Sequence, residues 1–416
     1  MERIMIVGCF LKGENRSSFE SSLEELRALT EAARGTVEFV RYQERDQIHP
    51  STYIGKGKIA EIAEEAEANE LDLLVFNDEL SPGQVQSIQS QTKLPVIDRT
   101  QVILDIFASR ARTKEGKIQV ELAQLNYMLP RLIGQGEALS RLGGGIGTRG
   151  PGETKLETDR RHIHRRMTEL KKQLEDVKKR RTIYHDERQK QNLAQFALVG
   201  YTNAGKSTLL NQLTEADSHA EDQLFATLDP LTRSVQLPSG YQALLSDTVG
   251  FIQDLPTTLV AAFRATLDEL TYANVLIHVV DATDERMDEH MKTVEKLLTE
   301  LQVDHLPTLT VLNKTDQLTD EQAAPFLPRE HVLAVSAYDQ QDVVRLKEEM
   351  ERLVKEEMIY YHVQLPAEEG KLYYRLRNET LVEDFEFNEE REVYDVKGYV
   401  YSDHALWGQI QQYMQA

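Results

Sequence analysis

Apolar positions in the first hundred residues fall into four short runs that are typical of β-strands. These runs occupy residues 4–7, 37–42, 71–77 and 95–98. Apolar residues at helical spacing fill residues 22–33 and 59–70 between the runs. Because short buried strands that alternate with helices form parallel sheets, the pattern predicts a small α/β layer with a mostly parallel sheet.

Two later stretches carry apolar residues in a 4-3-4-3 spacing, which traces one seam along a helix. The first seam consists of Ile118, Leu122, Leu125, Leu129 and Leu132, and the second of Ile163, Met167, Leu170, Leu174 and Val177. Two matched seams joined by a linker predict an antiparallel helical hairpin, and the alternative is that each helix packs separately on a domain. Pro130 lacks a backbone donor and crowds the preceding turn, so we expect the first helix to kink or end near Met128.

The linker between the seams, residues 134–152, is rich in glycine, which disfavours a helix because glycine loses much backbone entropy on folding. We expect a helix to restart at Thr154, where the side chains of Thr154 and Glu157 can form a reciprocal cap. Residues 131–181 hold 14 basic and 7 acidic residues, whereas the whole chain has a net charge of −21. This basic, glycine-rich tip predicts a contact with phosphate, against the alternative of a solvated linker.

A buried-strand pattern at residues 196–199 leads into a glycine-rich loop and then into a helical pattern. The loop consists of Gly200, Tyr201, Thr202, Asn203, Ala204, Gly205, Lys206, Ser207 and Thr208. This matches the full phosphate-binding loop in the context of strand, loop and helix that the motif requires, and by itself it leaves ATPase, kinase and GTPase open. Its backbone amides surround the phosphates, Lys206 supplies positive charge to the β- and γ-phosphates, and the Ser207 hydroxyl is expected on Mg²⁺.

Three later segments each follow an apolar strand-like run and specify a guanine nucleotide. They are Asp247 with Gly250, Asn313 with Lys314 and Asp316, and Ser336 with Ala337 and Tyr338. Asp247 is placed to hold the Mg²⁺ shell, and the Gly250 amide is available to a γ-phosphate. The Asp316 carboxylate can accept hydrogens from N1 and N2 of guanine, a donor pair that adenine lacks. The loop from Ser336 to Tyr338 is expected to recognise the guanine carbonyl with its backbone.

A switch segment is expected around Thr227, a threonine that closes on Mg²⁺ and the γ-phosphate, with Phe225 also at the nucleotide. Thr232 is the second candidate, and a plain surface loop is the alternative. Thr227 forms the expected catalytic set together with Lys206 and Gly250. Loops of this kind are ordered by the third phosphate and released after hydrolysis, which converts chemistry into movement.

Phe251 directly follows Gly250, where many GTPases carry a glutamine that orients the attacking water. A phenyl ring cannot form that hydrogen bond, so we expect slow hydrolysis in isolation. We expect acceleration when a partner orders the switch segments or supplies a polar group. Asn203 makes potassium a further candidate cofactor, because a loop asparagine can recruit this ion in place of an arginine finger.

Beyond residue 357 the pattern predicts four strands and a final helix, at residues 359–365, 371–378, 384–387, 393–401 and 405–413. This segment is acidic and aromatic, and it carries no catalytic constellation. The predicted fold is therefore α/β, with a P-loop GTPase domain, an N-terminal α/β domain, an antiparallel helical hairpin and a small α+β C-terminal domain. The expected boundaries are 1–112 for the N-terminal domain, 113–194 for the hairpin, 195–357 for the GTPase domain and 358–416 for the C-terminal domain.

The composition limits which partners and which cellular compartment are expected for the protein. A net charge of −21 argues against a general nucleic-acid binder and against DNA, so any contact with RNA must be local. Cys9 is the single cysteine, which excludes an intrachain disulfide and favours a reducing compartment. No apolar stretch of the sequence reaches the length of a membrane span, and the first residues are too polar for a signal peptide. We expect a cytoplasmic monomer without integral membrane association.

The motifs resemble those of the HflX family of GTPases over most of the chain. The matching segments are residues 53–58, 98–100, 144–154, 156–161, 200–208, 247–251 and 263–267. The resemblance implies GTP or GDP and Mg²⁺ as ligands of a GTPase domain that follows an α/β domain and a helical stalk. It also implies binding to the large ribosomal subunit and its RNA near the peptidyl-transferase centre, and splitting of stalled or idle ribosomes under stress.

Two other functions stand beside this interpretation. A GTP-dependent, RNA-binding chaperone of ribosome assembly is the alternative, and a metabolic phosphotransferase is disfavoured because no acceptor-substrate constellation accompanies the guanine motifs. Members of the family have been credited with ATP binding by the N-terminal domain. Here residues 55–58 are the candidate for that activity, and a structural turn is the favoured interpretation.

Overall fold

A computed structural model of the chain describes residues 2–140, 151–190, 193–214, 231–248, 250–252, 268–319 and 331–414. Its contacts divide the chain into two compact units. The first unit includes Met1–Val177, and the second includes Lys178–Asp222, Asp229–Ile252 and Ala265–Ala416. Within the described ranges, no helix is both long enough and apolar enough to cross a bilayer.

The first unit begins with a parallel sheet in the strand order β2-β1-β3-β4, which confirms the predicted α/β layer. Its strands are β1 (Arg3–Leu11), β2 (Thr36–Arg45), β3 (Leu73–Phe76) and β4 (Val96–Asp98). Its helices are α1 (Arg16–Ala32), α2 (Lys56–Ala68), α3 (Pro82–Thr92) and α4 (Arg99–Arg110). Helix α3 begins with a reciprocal cap between Ser81 and Gln84 and a proline in its first turn, which fixes where the helix starts.

The helical hairpin follows, with α5 at Lys114–Ser140 and α6 at Pro151–Lys190. The two predicted seams pack against each other in one apolar cluster, which comprises Ile118, Leu122, Leu125, Leu129, Ile163, Met167, Leu170 and Leu174. Beside the seam, the Arg166 guanidinium contacts both carboxylate oxygens of Glu121, at 2.6 and 2.9 Å. The spacing of apolar residues therefore predicted the contact between the two helices.

Both ends of the glycine-rich linker differ from expectation. Helix α5 continues to Ser140, because residues 134–140 include only two glycines among residues that favour helices. Helix α6 begins at Pro151, so Thr154 lies inside the helix rather than at its cap. A proline preorganises the first helical turn, which accounts for the earlier start. Residues 141–150 lie outside the described ranges.

Of the kink or end expected near Met128, the end is wrong, since α5 passes through Pro130. A proline inside a helix costs about 3 kcal/mol, so the surroundings must stabilise the continuous form. The side chains on either side of Pro130 are anchored to the sheet, because the Arg131 guanidinium and the Tyr127 hydroxyl each lie 2.8 Å from the Asp98 carboxylate. The Arg131 guanidinium also lies 3.4 Å from the centre of the Tyr127 ring.

The second unit contains a sheet in the order β10-β9-β8-β5-β7-β6, in which β6 alone runs antiparallel to its neighbour among the described strands. The strands are β5 (Gln195–Val199), β6 (Leu231–Gln236), β7 (Gln242–Asp247), β8 (Val275–Asp281), β9 (Thr308–Asn313) and β10 (Val332–Ala334). Helices α7 (Lys206–Thr214), α8 (Met287–Glu300) and α9 (Gln340–Glu356) accompany the sheet. This is the fold of a P-loop GTPase, as predicted.

A small C-terminal layer completes the second unit. It consists of β11 (Ile359–Pro366), α10 (Gly370–Glu379), β12 (Leu381–Asn388), β13 (Val393–Val400) and α11 (Trp407–Tyr413), with an antiparallel sheet in the order β11-β13-β12. The predicted strand at residues 371–378 is wrong, because that segment forms α10. Leu372 and Leu376, four residues apart, are both buried on one helical face, and Arg375 pairs with Glu379 at the same spacing.

Candidate functional site

The predicted nucleotide motifs meet at one edge of the second sheet. Strands β5, β7 and β9 are parallel, and they end at Val199, Asp247 and Asn313. The carboxyl ends of parallel strands lie at the same edge, where loops can form a binding crevice. The phosphate-binding loop and the segments after β7 and β9 are therefore neighbours in space although they are far apart in sequence.

Backbone geometry requires glycine at two positions of the phosphate-binding loop. Gly200 has a φ of +151°, and a Cβ atom there would lie 2.2 Å from the Val279 carbonyl oxygen. Gly205 has a φ of +95°, and its Cβ would lie 2.2 Å from the Asn313 amide nitrogen. Between these two glycines, Asn203 is exposed with a φ of +61°. The loop is thus pressed against β8 and β9, with its turn formed by left-handed residues.

Lys206 lies beneath the loop at the start of α7. Its ammonium donates to the carbonyl oxygens of Gly200 at 2.9 Å and Tyr201 at 2.7 Å. The residue is 6% exposed, and burial lowers the pKa of Lys206 to about 8, against the opposing effect of the Asp247 carboxylate. Two of the three ammonium hydrogens hold the loop, and the third remains available to a ligand.

Ser207 and Asp247 place two oxygen atoms side by side. The Ser207 hydroxyl donates to Asp247 Oδ2 at 2.7 Å, and Asp247 is 1% exposed. Thr208 follows in the first turn of α7, and the buried Thr248 hydroxyl donates to the Leu198 carbonyl at 2.7 Å, which fixes the start of the loop after β7. A hydroxyl and a carboxylate in contact are the oxygen ligands that Mg²⁺ prefers, so these two residues fit that ion.

The segment after β7 binds to the phosphate-binding loop through the backbone. The Thr202 amide donates to the Phe251 carbonyl at 2.8 Å, and the Phe251 amide donates to the Gly200 carbonyl at 3.2 Å. A Cβ atom on Gly250 would lie 2.8 Å from Thr202 Cγ2, so the two loops approach each other closely. Phe251 itself is 1% exposed and belongs to the apolar core with Val199. The residue that follows Gly250 therefore offers no polar side chain to the site.

Asn313 connects the phosphate side of the site with the segment after β10. Its amide nitrogen donates to the Ala204 carbonyl at 3.0 Å, and its side-chain oxygen accepts from the Ala337 amide at 3.1 Å. Asn313 is 2% exposed. One buried side chain thus fixes the distance between the phosphate-binding loop and the loop that contains Ser336, Ala337 and Tyr338.

The segment after β9 presents an accessible carboxylate. Lys314 has a φ of +65°, and its ammonium pairs with Asp281 Oδ2 at 2.7 Å. Asp316 lies in the short 3₁₀ helix Thr315–Gln317, is exposed, and forms no hydrogen bond to another residue in the described ranges. Lys314 therefore holds the segment in place while Asp316 stays available to a ligand.

The segment after β10 is held by α9, the helix that follows it in the chain. The Ser336 amide donates to Asp342 Oδ2 at 2.8 Å, and the Tyr338 amide donates to the Ser336 hydroxyl at 3.3 Å. The Tyr338 side chain is 73% exposed. These contacts leave the loop rigid at Ser336 and open to solvent at Tyr338.

Of the three switch candidates, only Thr232 lies in the described part of the chain. Phe225 and Thr227 lie outside the described residues. Thr232, the second candidate, lies in β6, where its hydroxyl contacts the Ser246 hydroxyl on β7 at 2.8 Å. Its side chain therefore serves the pairing of two strands.

Sequence reasoning missed several neighbours of the site. The Tyr201 ring stacks on His290 of α8 with 3.7 Å between ring centres and 8° between planes. His278 on β8 is 4% exposed, and burial, assisted by the Lys206 charge, lowers the pKa of His278 to about 4. Asp281 ends β8 in the same way that Asp247 ends β7, so its position at a strand end was a usable signal. No sequence signal pointed to the stacking of Tyr201 on His290.

Comparison with known proteins identifies three consecutive family regions in the chain. Residues 20–108 match the family described as "GTP-binding GTPase N-terminal", and residues 110–188 match "GTP-binding GTPase Middle Region". Residues 195–314 match the family described as "50S ribosome-binding GTPase". Together these regions cover most of the N-terminal layer, most of the hairpin and the strands β5 to β9 of the second sheet.

Whole-chain relatives extend this match. The GTPase HflX of Alkalihalophilus pseudofirmus is 50% identical over 99% of this chain and 97% of its own length. The GTPase HflX of Escherichia coli is 42% identical, over 85% of this chain and 85% of its own. A solved structure of a GTP-binding protein from Sulfolobus solfataricus in complex with GDP aligns with 26% identity and a TM-score of 0.45, over 86% of this chain and 99% of that one. On the sequence relatives, this chain belongs to the HflX family of GTPases.

Proposed function

We propose that this protein binds GTP and Mg²⁺ at the edge formed by β5, β7 and β9, hydrolyses the GTP, and acts on the large ribosomal subunit. The observation that carries the proposal is the position of Asn313, which joins Ala204 of the phosphate-binding loop to Ala337 of the loop after β10. A nucleotide requires its phosphate and base pockets at a fixed separation, and this side chain supplies that separation. The site belongs to a GTPase domain that we assign to residues 195–357, beside domains at 1–112, 113–194 and 358–416.

The phosphate side of the proposed site rests on Lys206, Ser207 and Asp247. The third ammonium hydrogen of Lys206 is directed to the phosphates, while the other two keep the loop closed around them. The Ser207 hydroxyl would bind Mg²⁺, and Asp247 would hold the ligand shell of the ion. Bound Mg²⁺ would neutralise phosphate charge. The Gly250 amide is offered to the γ-phosphate, and the close approach of Gly250 to Thr202 explains why a side chain is not tolerated there.

The base side of the proposed site rests on Asp316. Its exposed carboxylate has no hydrogen-bond partner among the described residues, so it can accept from N1 and N2 of guanine. Lys314 is held by Asp281 and positions the segment, and the backbone from Ser336 to Tyr338 covers the guanine carbonyl. Adenine presents an acceptor at N1 and no amino group at C2, so the same carboxylate disfavours it.

Hydrolysis in the isolated protein is proposed to be slow. Phe251 is buried in the core, so the position after Gly250 offers no group that orients water. Asn203 is exposed in the phosphate-binding loop, and we assign to it the binding of a potassium ion. The ion compensates for the missing group that would orient the attacking water. Thr227 and Phe225 are assigned to the switch from the sequence. Hydrolysis that is faster in potassium than in sodium supports the role of Asn203, and equal rates contradict it.

Action on the ribosome is proposed from the family and from charge. The family region at residues 195–314 carries the description of a 50S ribosome-binding GTPase. Residues 131–181 are basic, whereas the whole chain has a net charge of −21. This segment is therefore suited to contact RNA, and the acidic remainder of the chain is not. We assign to the GTP-bound protein the splitting of stalled or idle ribosomes in the cytoplasm, with hydrolysis stimulated by the ribosome and needed for release.

The experiment mixes the protein with intact ribosomes and follows subunit separation by light scattering. Separation with GTP and with a non-hydrolysable analogue, and none with GDP, is the expected result. Lys206→Ala, which removes the phosphate charge, is the matched inactive control. Binding to free subunits without separation under either triphosphate would instead support a chaperone of ribosome assembly and contradict the splitting role.

A further inference from the structure

The C-terminal layer carries a set of contacting aromatic rings, two of them exposed, that the nucleotide site does not use. Phe385 and Phe387 on β12 are 49% and 42% exposed. The Phe385 ring centre lies 5.8 Å from that of Tyr373, the Phe387 ring centre lies 4.8 Å from that of Tyr394, and Tyr373 stacks on Tyr394 at 4.5 Å. We call these four residues the aromatic patch. Contiguous exposed rings of this kind mark binding surfaces.

The aromatic patch is held rigid by the core beneath it. Phe385 lies opposite the buried Val396 on β13, and Phe387 lies opposite Tyr394. Directly opposed residues of antiparallel strands share a face, so the patch continues the core face outward to the rim of the sheet. Rings that are already fixed lose little entropy on binding, which favours a role in recognition.

The strand that carries the patch has an unpaired edge in the described structure. Strand β12 stands at the end of the order β11-β13-β12. Edge strands are commonly protected by charge, proline or a bulge, and the charged side chains of residues 384–388 are the carboxylates of Asp384 and Glu386, which disfavour an acidic strand but not a basic one. The register shift in β12 lies at its beginning, between Val382 and Asp384. The remaining residues present alternate backbone N–H and C=O groups that can pair with an added strand.

Negative charge beside the aromatic patch favours a basic partner. Glu386 on β12 and Glu389, Glu390 and Glu392 in the following turn are exposed, and none forms a salt bridge with another residue in the described ranges. Asp384, by contrast, pairs with Lys397 at 3.1 Å. These four carboxylates outnumber the one cation of the turn, Arg391, so the edge repels phosphate and attracts lysine and arginine. Pairing of β12 with a second copy of itself would bring these carboxylates together, which opposes self-association.

We propose that the aromatic patch and the edge of β12 bind an extended, lysine- and arginine-rich segment of a partner protein, which adds a strand to this sheet. Backbone hydrogen bonds provide the pairing, and the carboxylates of Glu386, Glu389 and Glu390 contact the basic side chains. Side chains of an added strand alternate between its two faces, so basic residues on the face of Glu386 leave apolar residues to pack on the opposite face, against Phe385 and Phe387.

The test uses the full chain and a fluorescent peptide of alternating lysine and valine, with anisotropy as the measurement. We expect saturable binding that weakens with salt and disappears when alternate peptide amides are N-methylated, because methylation removes strand pairing and keeps the charge. Reversing Glu386, Glu389 and Glu390 to lysine is expected to weaken binding by at least about tenfold, through loss of three screened ion pairs. Slower hydrogen exchange in residues 384–388 is expected with the peptide bound.

Matched variants separate the patch from its surroundings. Phe387→Ala is expected to weaken binding, whereas Tyr374→Ala removes a 69% exposed tyrosine outside the patch and is expected to leave binding unchanged. Affinity for GDP should stay the same in both variants, which keeps this test independent of the nucleotide site. Absence of saturable binding, or equal binding of the N-methylated peptide, overturns the proposal. Polyuridine binding that is lost in Phe387→Ala would assign the surface to RNA, and a dimer lost in that variant would assign it to a second copy.

Discussion

Replacement of Asn313 by alanine tests how the two sides of the site are joined. The Asn313 amide is 2% exposed and makes two hydrogen bonds, of 3.0 Å to the Ala204 carbonyl and 3.1 Å from the Ala337 amide. Ala204 and Ala337 are themselves 1% and 3% exposed, so both backbone groups would lose their partner inside the protein. A buried polar group without a partner costs about 1–3 kcal/mol. For two such groups we expect a local loss of about 2–6 kcal/mol.

The rate of hydrogen exchange at the Ala337 amide measures this loss of local stability. A loss of about 2–6 kcal/mol corresponds to exchange that is faster by roughly 30-fold to 20,000-fold, and we expect GDP affinity to fall in the same variant. Asn378→Ala is the matched control, because the Asn378 amide donates to a carbonyl on the exposed surface of α10 at 2.7 Å. That control is expected to change stability by less than about 0.5 kcal/mol. Unchanged Ala337 exchange and unchanged GDP affinity in Asn313→Ala would refute the proposed link.

Three further predictions follow from the site. The pKa of Lys206 is about 8 in the folded chain against an ordinary value of 10.5, so between these values the unfolded chain binds the additional proton and the free energy of unfolding rises with pH. GTP affinity should fall over the same interval because Lys206 loses its charge, and affinity that rises with pH would contradict its phosphate role. His278 has a pKa of about 4 against 6.5, so the free energy of unfolding should fall on acidification, by about 2 kcal/mol between pH 7 and pH 5. Urea titrations should find this loss absent in His278→Gln, and an equal loss in that variant would assign it to other groups. Asp316→Asn should shift preference from guanine to xanthine nucleotides in competition binding, and retained guanine preference would remove Asp316 from base recognition.

Local patterns in the sequence predicted the helices and strands whose own apolar residues form the buried face. The seams of α5 and α6 pack together as their spacing indicated, because a helical stripe has to be covered by another apolar surface. The strands β5, β7 and β9 end where their apolar runs end, which positions Lys206, Asp247 and Asn313 near one another.

The wrong predictions have different causes: a distant contact overrides local preference in α5, whereas the ends of the glycine-rich linker follow from local composition and from Pro151. Proline alone would end α5 near Met128, but the anchoring of Tyr127 and Arg131 to Asp98 stabilises the continuous helix. The tyrosines of residues 371–378 favour a strand, but burial of Leu372 and Leu376 against the C-terminal sheet favours a helix. The contacts of Tyr127 and Arg131 join residues that are far apart in sequence, so no local pattern contained them. The spacing of Leu372 and Leu376, by contrast, was a helical signal that the strand prediction did not use.

Within the site, residue types could be read from the motifs but their partners could not. The sequence indicated Lys314 and Ser336, whereas the structure adds the pairing of Lys314 with Asp281 and the bond from the Ser336 amide to Asp342. Stacking of Tyr201 on His290 depends on where α8 lies relative to the loop, which only the fold determines.

Calorimetric titration of the full chain with GDP and with ADP, in the presence of Mg²⁺, tests the central claim most directly. A pocket that combines the Lys206 charge with the accessible Asp316 carboxylate predicts binding of GDP that is at least about a hundredfold tighter than binding of ADP. Equal or tighter binding of ADP, or heat from neither nucleotide, would contradict the account.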